Sequence, residues 1–176
     1  MPVSRLLPAA SFIAALLIAP GAAVAQTTPA TAGLTSKALV IKPLVLTKLD
    51  DLSFGTIIPT GVNEWARINA DTGARTFSNP AMRVLSDEGN RARFGSSGLQ
   101  NQFVVLELDG PTDLTNADGD LLAVLTLVLD QNNKVLRTLT ASSQTFFVGI
   151  GGTIFVRGNQ QDGTYTGTYN LTATYL

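Results

Sequence analysis

The pattern of hydrophobic and polar residues is most regular at the carboxyl end of the sequence. From Gly163 to Leu176, one set of alternate positions carries glycine, tyrosine, leucine and alanine, and the other set carries threonine and asparagine. A period of two is typical of a β-strand with one buried and one wet face. The pattern therefore predicts a strand over Thr164–Tyr175, and we expect this terminal strand to be open to pairing with another chain.

Short runs rich in valine, isoleucine, leucine, phenylalanine and threonine, separated by turn residues, continue through the rest of the chain. They predict strands at Ala38–Lys48, Leu52–Ile58, Glu64–Ala70, Ala81–Leu85, Arg91–Phe94, Phe103–Leu108, Leu121–Leu129, Val135–Leu139, Thr145–Gly149 and Thr153–Arg157. Strands at this spacing, with almost no helix signal, are typical of a sandwich or barrel. We therefore predict one all-β domain over residues 37–176, an immunoglobulin-like antiparallel β-sandwich.

Two local features of this strand series lead to more specific expectations. Ala81–Leu85 and Arg91–Phe94 flank a turn, which predicts that they pair as a hairpin. The glycines at 149, 151 and 152 are followed by a strand and not by a helix, so they do not form a phosphate-binding loop. We expect them to form a bulged corner between two strands.

The amino-terminal residues predict export. Arg5, an apolar run over Ala9–Ala19 and an A-x-A site at residues 23–25 match a secretory signal peptide over residues 1–25. Residues 26–36 are uncharged and predict either a flexible tail or a strand donated to a neighbouring sheet. Ala30, Ala32 and Leu34 share one parity and are the candidate donor residues. We expect a protein that lies outside the cytoplasm, in the periplasm, at the cell surface or secreted, and that does not insert into a membrane after cleavage.

Composition argues against several function classes. The formal net charge is −1 with 14% charged residues, whereas nucleic-acid binding needs a clustered basic surface. The chain has no cysteine and no histidine, so the commonest general base and the commonest metal ligand are both absent. We therefore expect no enzyme activity, no cofactor and no nucleic-acid partner.

An acidic segment, Asp113–Asp120, is the one candidate for a metal site. It carries Asp113, Asn116, Asp118 and Asp120, but aligning Gly119 with the glycine of a calcium loop puts leucines at the first and last ligand positions. An ordinary polar turn is favoured, and an irregular calcium site stays open.

Two sequence blocks resemble a known family. Residues 51–59 read D-L-S-F-G-T-I-I-P, and Phe147–Ile154 leads into Gly163–Tyr169 and the penultimate Tyr175. Together they resemble the secreted bacterial family called domain of unknown function 4402, and more distantly the subunits of chaperone–usher fimbriae. The resemblance implies an exported, pilin-like sandwich whose terminal strand borders a groove. It also implies an assembly edge formed by Gly163, Tyr165, Tyr169, Leu171, Ala173 and Tyr175.

These observations lead to two functional hypotheses. The first is a pilin-like, structural or adhesive surface subunit that assembles by β-strand addition. Its partners would be copies of itself, other fimbrial subunits or a periplasmic chaperone. The second is a self-contained periplasmic or secreted sandwich domain that binds a ligand at its loops.

Overall fold

A computed structural model describes residues 37–84 and 87–176. The chain divides into two units, Met1–Ala38 and Leu39–Leu176, and the second unit contains all of the described β-structure. The predicted signal peptide and the candidate donor residues Ala30, Ala32 and Leu34 lie outside the described residues.

The second unit consists almost entirely of strands. In chain order these are Val45–Asp50 (β1), Ile57–Ile58 (β2), Glu64–Ile68 (β3), Arg75–Phe77 (β4), Arg83–Val84 (β5), Ala92–Ser97 (β6), Gln102–Asp109 (β7), Asp113–Thr115 (β8), Leu121–Leu129 (β9), Leu136–Leu139 (β10), Thr145–Val156 (β11) and Asn170–Tyr175 (β12). A single short helical turn, Asp130–Asn133 (α1), lies between β9 and β10. Across the described residues, no helix is long and apolar enough to cross a membrane.

The larger sheet is organised around β11. The first half of β11 pairs with β6, its second half pairs with β3, and β9 pairs with residues 150–155. β1 extends the sheet beyond β6, β4 extends it beyond β3, and β8 extends it beyond β9. All of these pairings are antiparallel.

A second sheet has the order β10-β7-β12, and β2 pairs with β5 in a separate two-stranded ribbon. These pairings are antiparallel as well. The two main sheets form a sandwich-like arrangement and not a closed barrel. The predicted fold class is therefore confirmed.

The interior contains two hydrophobic clusters that are covered in different ways. The first includes Val104 and Leu106 of β7 and Val148 and Ile150 of β11, and β12 packs over it. Burying side chains of this size stabilises the fold by about 1.5–3 kcal/mol each. The second cluster includes Leu122, Ile154 and Val156. The side chains of Phe54, Ile57 and Tyr165 pack against it. None of the described residues assigned to the second cluster comes from β7, β10 or β12.

The predicted glycine corner is wrong, because β11 runs without interruption from Thr145 to Val156. A Cβ atom at Gly149 would collide with the carbonyl oxygen of Ala70, and one at Gly151 would collide with that of Ile68. The glycines therefore allow a close approach between strand backbones inside a strand.

Two other predicted strand features also differ from the structure. β5 pairs with β2, whereas β6 pairs with β1 and β11, so the predicted hairpin between Ala81–Leu85 and Arg91–Phe94 does not form. The first strand begins at Val45 and not at Ala38. Residues 37–44 have no regular secondary structure.

Candidate functional site

The terminal strand β12 is paired on one edge only. Asn170–Tyr175 pair with Asp109–Val104 of β7, and β7 pairs with β10 on its other side. Among the described strands, none pairs with the second edge of β12. The backbone groups on that edge are therefore a template for an added strand.

The side chains of β12 alternate as the sequence pattern predicts. Leu171, Ala173 and Tyr175 are half-buried and pack against the first cluster, whereas Thr172 and Thr174 are exposed. Because the apolar face already covers the protein's own core, these side chains are not free to fill a partner's pockets. A strand added at this edge would recognise the backbone of β12.

Tyr175 fixes one end of β12 to the residues before β1. Its hydroxyl donates to the carbonyl oxygen of Lys42 at 3.1 Å and accepts from the backbone N–H of Leu99 at 2.6 Å. The Lys42 ammonium donates to the Gln144 side-chain oxygen at 2.9 Å. Residue 42 is therefore held at the Tyr175 end of β12.

Gly163 and Tyr165 lie outside β12, because the strand begins at Asn170 and not at Thr164. Thr166 forms an isolated antiparallel bridge with Thr115 of β8. The Tyr165 hydroxyl donates to the Gln161 carbonyl at 2.8 Å and accepts from the Gln160 amide at 2.8 Å. The chain before β12 therefore departs from the pairing of that strand, because Thr166 lies beside β8 whereas β12 pairs with β7.

This departure opens a cleft of about 770 Å³ beside the start of β12. Residues 52–59 form one rim and residues 160–167, with Tyr169, form the other. The floor is apolar and belongs largely to the second hydrophobic cluster: Leu114, Leu122, Val124, Leu127, Ile154 and Val156. The cleft is therefore an opening onto the part of the core that the second sheet leaves uncovered.

Each rim is hydrogen-bonded to a neighbouring segment of the chain. Ser53 exchanges two backbone hydrogen bonds with Asn90, and Thr56 N–H donates to the Asp87 carbonyl. On the other rim, Thr166 exchanges two with Thr115. No backbone hydrogen bond between described residues joins one rim to the other.

Two polar atoms in the cleft lining are buried without a described hydrogen-bond partner. They are the hydroxyl oxygen of Tyr169 and the side-chain oxygen of Gln160. Burial raises the pKa of Tyr169 above its ordinary value of 10.0, the negative charge of Asp51 raises it further, and the nearby backbone of Leu52 partly opposes these two effects. The phenol is therefore a neutral hydrogen-bond donor at physiological pH, and the Gln160 oxygen is an acceptor.

The residues before Lys42 form an exposed apolar arm. In this arm, which we define as Leu39–Ile41, Leu39 is 89% exposed, Val40 92% and Ile41 52%. Three consecutive exposed apolar side chains are unusual on the surface of a domain and are typical of an interaction site.

The acidic segment Asp113–Asp120 forms a turn organised by Asn116. The Asn116 side-chain oxygen accepts from the N–H groups of Asp118 and Asp120, and its amide donates to the Asp120 carboxylate at 2.9 Å. Within residues 37–84 and 87–176, no group of three or more acidic residues is placed to hold a metal ion.

Sequence reasoning missed the rim formed by residues 52–59 and the role of Gln160. The block L-S-F-G-T-I-I-P was interpreted as a strand over Leu52–Ile58 and as a sign of resemblance, and not as part of a site. Gly55 within it has a φ of 69°, and a Cβ there would collide with the backbone of Asp87 and Gly89. A glycine-containing apolar block with no regular strand alternation was the available signal for a special local structure.

Comparison with known proteins gives one result. A family model described as "Domain of unknown function (DUF4402)" matches residues 44–175. The comparisons with curated proteins and with solved structures gave no match.

Proposed function

The chain belongs to the DUF4402 family, as the resemblance predicted, and we propose that it is an exported, pilin-like structural subunit of the bacterial surface. It assembles by β-strand addition and has no catalytic role. The observation that carries this proposal is the unpaired edge of β12. Residues 26–36 of a neighbouring subunit, or a strand of a periplasmic chaperone, would pair with that edge.

The composition of β12 supports this proposal. Exposed sheet edges are commonly protected by charged residues or proline, which prevent unwanted pairing. β12 reads N-L-T-A-T-Y and carries neither. The other edge strands of the two main sheets, β1, β4, β8 and β10, each carry at least one charged residue. Among these edge strands of the two main sheets, β12 is therefore the one that lacks this protection.

An assembly assay on matched edge variants tests the proposal. Thr172 on β12 and Thr138 on β10 are both exposed threonines on edge strands of the second sheet. Thr172→Lys should reduce the polymer fraction in sedimentation by about tenfold or more, because strand addition would bring the ammonium against a partner strand. Thr138→Lys should polymerise like the wild type. Equal polymerisation of both variants would refute strand addition at β12.

Deletion of the expected donor segment provides a second test. Residues 26–176 should form concentration-dependent polymers, and residues 37–176 should polymerise more weakly, because main-chain pairing to the donor supplies part of the affinity. The readouts are oligomeric state and thermal melting. A stable monomer in both cases would contradict the proposal.

That last outcome would favour the second hypothesis, a self-contained binding domain. The observation behind it is the cleft, whose volume of about 770 Å³ lies in the range of small-molecule sites. Its apolar floor and the two unpartnered polar atoms of Tyr169 and Gln160 would suit an amphipathic ligand.

A further inference from the structure

We infer that the cleft binds a cationic amphiphile, a small molecule with an alkyl tail and a single ammonium head group. The inference deepens the second hypothesis, because it gives the charge of the ligand that a binding domain would hold. It rests on that hypothesis in placing a ligand in the cleft, and it does not depend on strand addition at β12.

The lining of the cleft separates apolar from charged side chains. The floor consists of leucine, valine and isoleucine side chains, whereas the charged residues of the lining, Asp87 and Asp162, are exposed. Asp162 belongs to one rim, and the Asp87 carbonyl accepts from Thr56 N–H of the other rim. A ligand that fits this distribution lays an apolar tail on the floor and keeps its head group at the exposed rims.

The charges of the lining have one sign. Among the described residues that line the cleft, two are aspartates and none is a lysine or an arginine. The Arg75 side chain contacts one rim from outside this lining, where it donates to the Phe54 carbonyl at 2.6 Å. None of the ion pairs between described residues involves Asp87 or Asp162. A cationic head group complements these carboxylates, whereas an anionic one is repelled.

The orientation of the Gln160 amide leaves a hydrogen-bond acceptor in the cleft. The amide nitrogen donates to the Leu121 carbonyl at 3.1 Å and to the Tyr165 hydroxyl at 2.8 Å. These two bonds fix the amide, and its oxygen is buried without a described partner. Because an amide oxygen accepts hydrogen bonds and cannot donate them, this atom requires a donor from the ligand.

The Tyr169 hydroxyl is the second buried group of the lining without a described partner. Burial is the larger cause of its raised pKa, and the negative charge of Asp51 is the second cause. The same negative charge favours a cation beside the phenol, whose oxygen is able to accept a hydrogen bond. An ammonium group carries three donors and no acceptor, so it suits a site whose polar atoms are acceptors.

Titration with matched eight-carbon ligands tests the charge of the head group. Octylammonium, octanoate and 1-octanol are added separately to the full chain at neutral pH, below the concentrations at which they form micelles. Octylammonium should bind about tenfold or more tightly than octanoate, with 1-octanol between them. Decylammonium should bind about tenfold more tightly than octylammonium, because the floor buries two further methylene groups.

A matched pair of variants tests the contribution of the rim. Asp162→Asn removes a charge of the lining, and Glu107→Gln makes the equivalent change at an exposed residue of β7 outside the cleft. Asp162→Asn should weaken octylammonium binding by about threefold to tenfold, and Glu107→Gln should bind like the wild type. Equal effects of the two variants would refute a specific role for the rim carboxylate.

NMR of the methyl groups during the same titration locates the ligand. Shifts should concentrate at Leu122, Ile154 and Val156 of the floor. Leu136 is the control, because it is 39% exposed on β10 and does not line the cleft. Shifts of equal size at Leu136 would show general adsorption to apolar surface and would refute the site.

The remaining outcomes overturn the inference in distinguishable ways. Floor shifts with equal affinity for all three eight-carbon ligands, or with tighter binding of octanoate, would refute the cationic head group and leave the second hypothesis standing. Absence of floor shifts with every ligand would refute both the inference and that hypothesis. Each of these results leaves strand addition at β12 to the assembly assay on Thr172→Lys.

Discussion

Gly149 and Gly151 show how single residues determine the position of strands in the larger sheet. Both lie within β11, where the backbone of residues 68–70 passes so close that no Cβ atom fits. At Gly151 the nearest atoms are the carbonyl oxygen of Ile68 and the N–H nitrogen of Ala70, which belong to the backbone and cannot rotate away. The absence of side chains at these two positions therefore lets β11 run without a break from its pairing with β6 to its pairing with β3.

The first prediction is that Gly151→Ala lowers the free energy of unfolding by about 1–3 kcal/mol, the usual effect of overpacking. Gly95→Ala is the control, since its Cβ would lie 3.5 Å from the nearest atom, Cε1 of Phe147, which is an ordinary contact. We expect the control to change stability by less than about 0.5 kcal/mol. Urea unfolding of the two variants measures the difference, and equal losses would contradict the steric explanation.

Tyr169 leads to a prediction about pH. Its pKa is raised by burial and by Asp51, so the folded state holds the phenolic proton more tightly than the unfolded state does. The associated stability is fully present below the ordinary pKa of 10.0 and is lost as the pH rises through the higher pKa of the folded state. Above pH 10.0 the wild type should therefore lose stability more steeply than Tyr169→Phe. Because Tyr165 and Tyr175 are present in both proteins, they do not contribute to the difference between the two. Parallel pH profiles of the wild type and Tyr169→Phe would contradict the assignment of this pH dependence to Tyr169.

At the scale of elements, a buried ion pair holds the turn between β9 and β10. The Arg137 side chain of β10 is 4% exposed and the Asp130 side chain of α1 is 13% exposed. The second carboxylate oxygen of Asp130 accepts from the backbone N–H of Gly149 at 2.9 Å. The pair therefore connects α1 and β10 to β11, and thus links the two sheets.

Removing one partner should leave the other charge buried and uncompensated. We expect Arg137→Leu to lower the free energy of unfolding by about 3–5 kcal/mol. The control is Lys48→Ala, which removes an ion pair with Asp51 whose side chains are 57% and 71% exposed. That pair should contribute less than about 1 kcal/mol. Chemical denaturation distinguishes the two, and a small effect at Arg137 would show that solvent reaches the pair.

The elements that the sequence predicted best are those whose pattern is local. The alternation of Leu171, Ala173 and Tyr175 with threonines identified β12 and its buried face, because period two is a property of the strand itself. β11 was divided in two because its glycines resemble a turn, and the reason for them is contact with residues about 80 positions earlier in the chain. Arg137 appears in the sequence as an ordinary polar strand residue, since nothing local marks its partner.

The candidate site was predictable in part for the same reason. The strand β12 and its two faces follow from the local alternation of its residues. The cleft does not, because its rims are brought together from residues 52–59 and 160–167, which are far apart in the chain. Only the tertiary fold shows that the second sheet stops short of the second hydrophobic cluster.

At the scale of the whole molecule, the fold is a sandwich in which the second sheet covers only part of the first. The uncovered part is the cleft, and the exposed arm Leu39–Ile41 lies at the other end of β12. Pairing of a second copy at the free edge of β12 would bury surface of the folded state and not of the unfolded state. Assembly and stability should therefore depend on each other.

This linkage predicts that the melting temperature rises with protein concentration, because a partner that binds only the folded state stabilises it by mass action. At a partner concentration of about 100 times the dissociation constant the gain is about 2.7 kcal/mol. Thr172→Lys should melt at a temperature that does not depend on concentration, since an ammonium group on β12 hinders strand addition at that edge. Because Thr172 is exposed, this substitution should leave the dilute monomer as stable as the wild type. Scanning calorimetry over a wide concentration range measures both proteins, and a wild-type melting temperature independent of concentration would contradict the coupling between folding and assembly.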